Sequence, residues 1–308
     1  MMIELSSLFG AASEPDHVEA YAREVKEAAM KMRVLMEMDA LRTEIYSGAL
    51  YGEKLKDEVN RRMFEATEQS SERRTDMQAM MGSFIDSFEG GVLTNTVPTG
   101  FAHLDAILSG HGLFPGEVTI WAGAEGMGKT TALLSIARNA ARLHRTIAIF
   151  TMEMEQSEIS LALTSMETGI ARAAIQSKRI STQQWELIVS ATGVIGSYPI
   201  HVIDMHEFPA LKPLQLRRKL RSLMVRTPVD LVILDGLWLM EPDEPTPNRP
   251  EAVGKIMRDL SGIAKQFQLP LLVAHQYKEE IRAVKKPTIY QLAESSGVRR
   301  NAQVIIGM

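Results

Sequence analysis

Residues 117–131 read EVTIWAGAEGMGKTT. The opening seven, Glu117 to Gly123, are a near-continuous apolar run that calls for a buried strand. From Gly123 to Thr130 the chain satisfies G-x-x-x-x-G-K-[ST]. In such a loop, glycines let backbone N–H groups curl around phosphate oxygens with no Cβ in the way. The stretch that follows, TTALLSIARNAARLH, has a helical pattern, so free amides and the positive end of a helix dipole stand behind the loop. A glycine-bearing loop can match this pattern by chance, but a strand directly before it and a helix directly after are not supplied by chance. The reading is a phosphate cradle made of Gly123, Ala124, Glu125, Gly126, Met127, Gly128, Lys129, Thr130 and Thr131. Lys129 would reach the β- and γ-phosphates, and the Thr130 hydroxyl would ligate Mg²⁺.

Downstream, the same grammar repeats. The apolar runs TIAIFTME, IHVIDM, DLVILDGL, LPLLVAHQ and QVIIGM alternate with helical stretches such as RPEAVGKIMRDLSGIAKQFQ. Buried strands alternating with helices predict an α/β fold, a parallel sheet covered on both faces. Val229–Asp235 is an apolar strand ending in a carboxylate, the Walker B pattern, so Asp235 is the expected second anchor for magnesium. Hydrolysis also needs a group to orient and deprotonate water. Gly236 and Leu237 follow Asp235, so no carboxylate stands directly beside it. Glu153, at the carboxyl end of TIAIFTME, takes that role in this reading, with Glu155 assigned to the next turn. Gln276, ending LPLLVAHQ, sits at the same sheet edge and could sense the γ-phosphate.

Upstream, the first ninety residues read as helices. Ser13-Glu14-Pro15-Asp16 is a helix start, and Tyr21, Val25, Ala28, Met32 and Leu35 form an apolar stripe toward Tyr46. Ser47-Gly48 breaks it. A second helix carries Leu55, Val59 and Met63, and a third carries Met77, Met81, Phe84, Ile85 and Phe88 up to Gly90-Gly91. Ten of the 19 Met residues fall in residues 1–92, and Met suits surfaces that pack on partners, so the arm is expected to pack on other subunits. LTNTVPTG reads as a turn-rich connection to the body.

Composition narrows the class. At 308 residues, 45% hydrophobic and 23% charged, the chain is long enough for about two domains and balanced like a globular protein. Without cysteine, disulfides, thiolate metal sites and cysteine nucleophiles are excluded. No run approaches the ~18 apolar residues of a membrane span, and the N-terminus lacks the pattern of a secretory signal, so a cytoplasmic protein is expected. Residues 1–92 hold 11 Lys and Arg against 18 Asp and Glu, a balance of −7, which leaves 23 against 20 for the rest. That +3 is compatible with nucleic-acid binding but does not argue for it alone.

Taken together, VPTGFAHLDAIL (97–108), AGAEGMGKTT, FTMEM (150–154), VILDGLWLM (232–240), VAHQ (273–276) and AESSGVRRNAQVIIG (293–307) resemble the DnaB-type replicative helicases, hexameric ATPases with a RecA-like core. The arm resembles the last helices of that family's N-terminal domain and its linker helix. The resemblance implies a helical hairpin arm over 1–70, a linker helix and linker over 71–97, and a RecA-like ATPase domain over 98–308. It implies ATP with Mg²⁺ at subunit interfaces of a hexameric ring, and 5′→3′ unwinding by translocation on single-stranded DNA. Primase or a helicase loader are the partners it implies. Lys129, Thr130, Glu153, Asp235 and Gln276 match the family's positions for phosphate, magnesium, water, magnesium and γ-phosphate sensing.

Three departures bear on the reading. The larger part of the family's N-terminal domain has no counterpart in the ninety residues before the core. The family's DNA loop carries Arg-Glu-Ser-Gly where this chain has Ala293-Glu294-Ser295-Ser296. The family's arginine finger lies past the strand in which Met308 stands, so weak turnover and a chain trimmed at both ends are expected. DNA contacts are placed at Glu294 and Ser296, and at the cations Lys285, Lys286, Arg299 and Arg300, with Lys278 and Arg282 nearby. The second reading is a truncated relative that binds nucleotide and serves the replication machinery as an accessory or scaffold. A RecA-like recombination ATPase shares the core but not the arm or the VPTGF-to-loop spacing.

Overall fold

In the computed structural model, the residues described are 15–48, 52–67, 77, 81, 85, 96–108, 110–204, 206–208, 210–277, 288–293 and 295–308. The chain divides into two units, residues 1–85 and 86–308.

Among the described residues, the second unit is built on six strands: β1 (Val118–Gly123), β2 (Ile147–Thr151), β3 (Ile200–Ile203), β4 (Leu231–Asp235), β5 (Leu271–Gln276) and β6 (Val304–Gly307). They lie in the order β3-β2-β4-β5-β1-β6, all parallel. Each is one of the six apolar runs expected from the sequence. Alternate residues point to opposite faces, and the two faces bury two separate cores. Val118, Ile120, Ala148, Phe150, Val232, Leu234 and Val273 share one. Trp121, Ile147, Ile149, Leu231, Ile233 and Leu272 share the other.

Helices cover both faces. Numbered along the whole chain, those of this unit are α3 (Ala102–Ile107), α4 (Lys129–Arg142), α5 (Gln156–Thr168), α6 (Arg172–Gln176), α7 (Thr182–Gly196), α8 (Pro213–Met224), α9 (Arg249–Phe267) and α10 (Ser295–Asn301). Leu133, Ile136, Ala137 and Ala140 put α4 on the second core, while Val253, Ile256, Leu260 and Ile263 put α9 on the first. Both helices carry apolar residues at three- and four-residue spacing, the pattern of one buried stripe. The crossing of α9 and α10 brings two glycines together: a Cβ on Gly297 would stand 2.6 Å from the Gly254 Cα.

The second half of LTNTVPTG is anchored rather than free. Val97 forms an antiparallel bridge with Leu113, and Thr99 is fully buried. The Asp105 carboxylate accepts from the Thr99 N–H at 2.8 Å, its hydroxyl at 2.7 Å and the Gly100 N–H at 3.0 Å. A turn-rich composition conceals this, because the acceptor arrives from the following helix.

In the first unit, α1 (Pro15–Tyr46) and α2 (Gly52–Thr67) match the first two expected helices. Gly48, at φ +74°, closes α1 by donating its N–H to the Ile45 carbonyl at 3.0 Å. Arg62 of α2 bonds both Glu58 and Glu44 of α1. Val25, Met32 and Leu35 of the anticipated stripe are exposed, and burial falls instead on Leu41 and Ala66. Of the third helix, only Met77, Met81 and Ile85 are described. All three are helical and exposed, and the rest of the linker-helix assignment lies outside the described residues.

Candidate nucleotide site

The carboxyl ends of β1, β2, β4 and β5 meet at one edge of the sheet, where open α/β sheets hold their ligands. Register fixes who stands beside whom. Gly123 of β1 pairs with Gln276 of β5, and Thr151 of β2 pairs with Asp235 of β4. The loop 124–128 leaves β1 and enters α4, whose N-cap is Gly128 at φ +89° with no capping side chain. The helix is therefore left with the unpaired first-turn amides that bind anions. A Cβ on Gly123 would lie 3.0 Å from the Lys129 Cγ, so glycine there lets the lysine stem pass.

Lys129 is buried, with its Nζ donating to the Ala124 carbonyl at 3.1 Å and lying 5.6 Å from the centroid of the Trp238 ring. Burial pushes its pKa down, against the pull of Glu153, Asp235 and Glu125. Thr130 lies in the first turn of α4, and its hydroxyl donates to Asp235 Oδ2 at 2.7 Å. Asp235 is buried, and burial pushes its carboxyl up while Thr130 and Lys129 oppose the shift. Its other oxygen, Oδ1, is buried with no hydrogen-bond partner among the described residues. A buried carboxylate oxygen without a donor, beside a hydroxyl at a phosphate-binding helix start, fits a hard divalent cation with oxygen ligands. Among the described residues no group of three or more His, Asp or Glu could hold a metal alone, so Thr130 and Asp235 would hold it together with phosphate oxygens.

Glu153 follows β2 and is aimed by a local turn in which Thr151 Oγ1 accepts from the N–H groups of Glu153 and Met154 at 3.3 and 3.0 Å. The Met152 N–H donates to the Asp235 carbonyl at 3.1 Å, tying this turn to β4. Partial burial, then the nearby Asp235, raises the Glu153 pKa, and Lys129 opposes them. A carboxylate so raised is a better proton acceptor than a free one. Glu155 instead caps α5, in a capping box with Glu158. Gln276 ends β5, and its carbonyl accepts from the Ala293 N–H at 3.1 Å.

The structure thus brings Lys129, Thr130, Glu153, Asp235 and Gln276 to one sheet edge. It does not bring the DNA candidates there as one set. Lys278, Arg282, Lys285, Lys286 and Glu294 lie outside the described residues. Ser296 and Arg300 are exposed on α10, and Arg299 is half-buried beside them. Sequence reasoning passed over Trp238 and Arg249. Trp238 stands three residues past Asp235, a proximity that was available as a signal, whereas the Arg249 contacts come from the start of α9, eleven residues on from Trp238.

The sequence profile of the DnaB-like helicase C terminal domain matches residues 96–308. The replicative DNA helicase DnaB of Leifsonia xyli subsp. xyli is 32% identical over 213 residues, covering 68% of this chain and 46% of that protein. The DnaB of Geobacillus stearothermophilus is 24% identical over 311 residues, covering 98% of this chain and 67% of its own length. The chain spans 46% to 67% of the length of these two relatives. Among solved structures, a DnaB-like replicative helicase, described with its interactions with primase, superposes with a TM-score of 0.75 at 20% identity, over 98% of this chain and 71% of that one. A second solved structure, of an ATPase domain, superposes with a TM-score of 0.69 at 22% identity, over 75% of this chain and 82% of that one. At those identities the superpositions speak for the fold, a RecA-like core, and the profile match over residues 96–308 speaks for descent. The chain belongs to the DnaB-like helicase family.

Proposed function

We propose that this chain is the ATP-driven core of a replicative DNA helicase, a ring-forming motor that translocates 5′→3′ on single-stranded DNA and parts the duplex ahead of it. The observation that carries this reading is the convergence of Lys129, Thr130, Glu153 and Asp235 on one sheet edge. A scaffold that never hydrolysed nucleotide would have no physical need for both a buried Asp235 and a Glu153 with raised pKa. Family membership supports the same reading.

In this site the amides of loop 124–128 and the Lys129 ammonium bind the triphosphate of ATP. Thr130 and Asp235 would hold Mg²⁺, which when bound would supply charge neutralisation to the triphosphate. Glu153 orients the attacking water and accepts its proton. Gln276 reports the γ-phosphate to the chain beyond β5 through its bond to Ala293. Nucleotide sits between neighbouring subunits of a hexamer, the arm and linker helix pack on adjacent copies, and primase or a loader docks on the assembled ring. Arg299 and Arg300, with Lys285 and Lys286, track the DNA backbone.

The test is ATP hydrolysis with and without single-stranded DNA, on protein whose mass in solution is measured in the same buffer. Turnover stimulated by DNA in a ring-sized species is the expected result. Nucleotide binding without turnover in a small oligomer would replace the motor by the accessory-subunit reading.

A further inference from the structure

The turn after Asp235 is held more firmly than a loop beside a strand requires. Gly236, at φ +113°, swings the chain into a 3₁₀ turn over Leu237–Leu239. Leu237 and Met240 are fully buried in the core beneath it. From the start of α9, the Arg249 guanidinium donates to three acceptors of this turn: the carbonyls of Leu237 at 3.3 Å, Trp238 at 2.6 Å and Met240 at 2.8 Å. A charged donor fork spread over three carbonyls is a strong and directional clamp. What the clamp presents to the nucleotide site is the Trp238 indole, half-buried against the second core, with the Lys129 ammonium 5.6 Å from the ring centroid.

We propose that Trp238 is a positioning residue for Lys129, and that Arg249 holds it in place; the inference rests on the nucleotide-site reading above. Lysine has a flexible four-carbon stem, and ordering it has an entropic cost on binding phosphate. Here the stem runs past Gly123 and burial disfavours its charge. An aromatic face attracts the cation electrostatically and restores part of what burial removes. The choice of group matters. A carboxylate at this position would form an ion pair that competes with phosphate for the ammonium. A ring attracts more weakly and has no acceptor lone pair, so it orders the ammonium near the loop and yields it to a triphosphate. Trp238 therefore acts on the affinity of the empty site for nucleotide and does not touch the reacting atoms.

The experiment compares Trp238→Leu and Trp238→Phe in the full chain by steady-state ATP hydrolysis. Trp238→Leu should raise KM for ATP about fivefold with kcat within about twofold, and Trp238→Phe, which keeps a π face, should return KM to within about twofold of wild type. A wild-type KM in Trp238→Leu, or an equal loss in both variants, overturns the proposal. A second measurement reads the intrinsic emission of wild type, with the conservative variant Trp238→Phe as its control. Titrating wild type with Mg-ADP should change the intrinsic emission as the ammonium leaves the ring, and that change should be missing from Trp238→Phe. An identical change in both proteins would also overturn it. Lys129→Ala separates the two layers of argument. If that variant binds nucleotide normally, the site reading falls and this inference with it. If it loses binding while Trp238→Leu keeps a wild-type KM, only this inference falls.

Discussion

Thr130 and Asp235 stand 105 residues apart in sequence and 2.7 Å apart in the structure, hydroxyl to carboxylate. This one bond joins the first turn of α4 to the last residue of β4 and leaves the second Asp235 oxygen buried and, among the described residues, without a donor. In the function proposed the pair forms half of a cation site, and its electrostatic cost falls on the protein itself, since burial disfavours the Asp235 charge.

Removing that charge should therefore divide stability from function. Asp235→Asn keeps an acceptor for Thr130 and is expected to raise the thermal midpoint of the nucleotide-free protein. It should raise the Mg²⁺ concentration needed for half-maximal ATP turnover by about ten- to a hundredfold. Differential scanning calorimetry and a Mg²⁺ titration of turnover measure the two effects, and a lowered midpoint would contradict the account.

Two further substitutions separate holding phosphate from breaking it. Lys129→Ala should abolish measurable nucleotide binding, because a buried ammonium among carboxylates is removed from the phosphate cradle. Glu153→Gln should bind nucleotide as wild type does yet lose turnover by about 10²-fold or more, the scale of a positioned general base. Full turnover in that variant would move the water-activating role to another residue.

The pH response follows from the signs of the shifts. Glu153 and Asp235 both have folded values raised above their ordinary 4.5 and 3.8, in each case first by burial. A raised carboxylate favours the native state below its unfolded value, and that advantage is lost as pH rises through the folded value. The sheet domain should thus lose stability going up in pH across that window, and Glu153→Gln should flatten the slope. Glu58 in the hairpin has the opposite sign. Hydrogen bonds from Arg61 and Arg62 hold it down at about 2, so its contribution is present above 4.5 and disappears on acidification. In turnover, kcat/KM should rise with pH through a Glu153 titration raised above its ordinary value.

Packing yields a paired test on the helices α9 and α10. A Cβ at Gly297 would sit 2.6 Å from the Gly254 Cα and 2.9 Å from its N, backbone atoms that cannot move aside. Gly297→Ala should cost about 1–3 kcal/mol, the scale of an overpacked core. Gly262→Ala, on the exposed side of α9 with open space around it, should be stabilising by up to about 1 kcal/mol. Urea denaturation of the two variants reads both.

The strands were legible because each is a short apolar run, and the four inner ones, β1, β2, β4 and β5, are buried on both faces, so local composition carries the signal. Gly123 to Thr130 was legible because the phosphate cradle is made by consecutive residues. Glu153 and Gln276 could be placed by their positions at strand ends alone. What stayed hidden depends on side-chain contacts that no periodicity encodes. The Arg249 grip on Trp238, eleven residues before it, is set by where α9 starts, and the burial of Thr99 is set by the carboxylate of Asp105, six residues on. The stripe Val25, Met32 and Leu35 shows the converse. Its periodicity correctly marks a helix, yet periodicity does not say which atoms cover it.

The placement of β1 has a consequence for how this protein is made. Its neighbours in the sheet are β5 and β6, the last two of the six strands to leave a ribosome. While the helices and the strands β2, β3 and β4 are being synthesised, the strand that feeds the phosphate loop has neither of its hydrogen-bonding partners, and both its edges are open to wrong pairing. Val118 waits for Leu271, and Thr119 for Val304. A nascent chain stalled before residue 271 would hold the complete Gly123–Thr130 motif and still lack the sheet that aims it. In the function proposed, competence to bind nucleotide therefore waits until both β5 and β6 have been made.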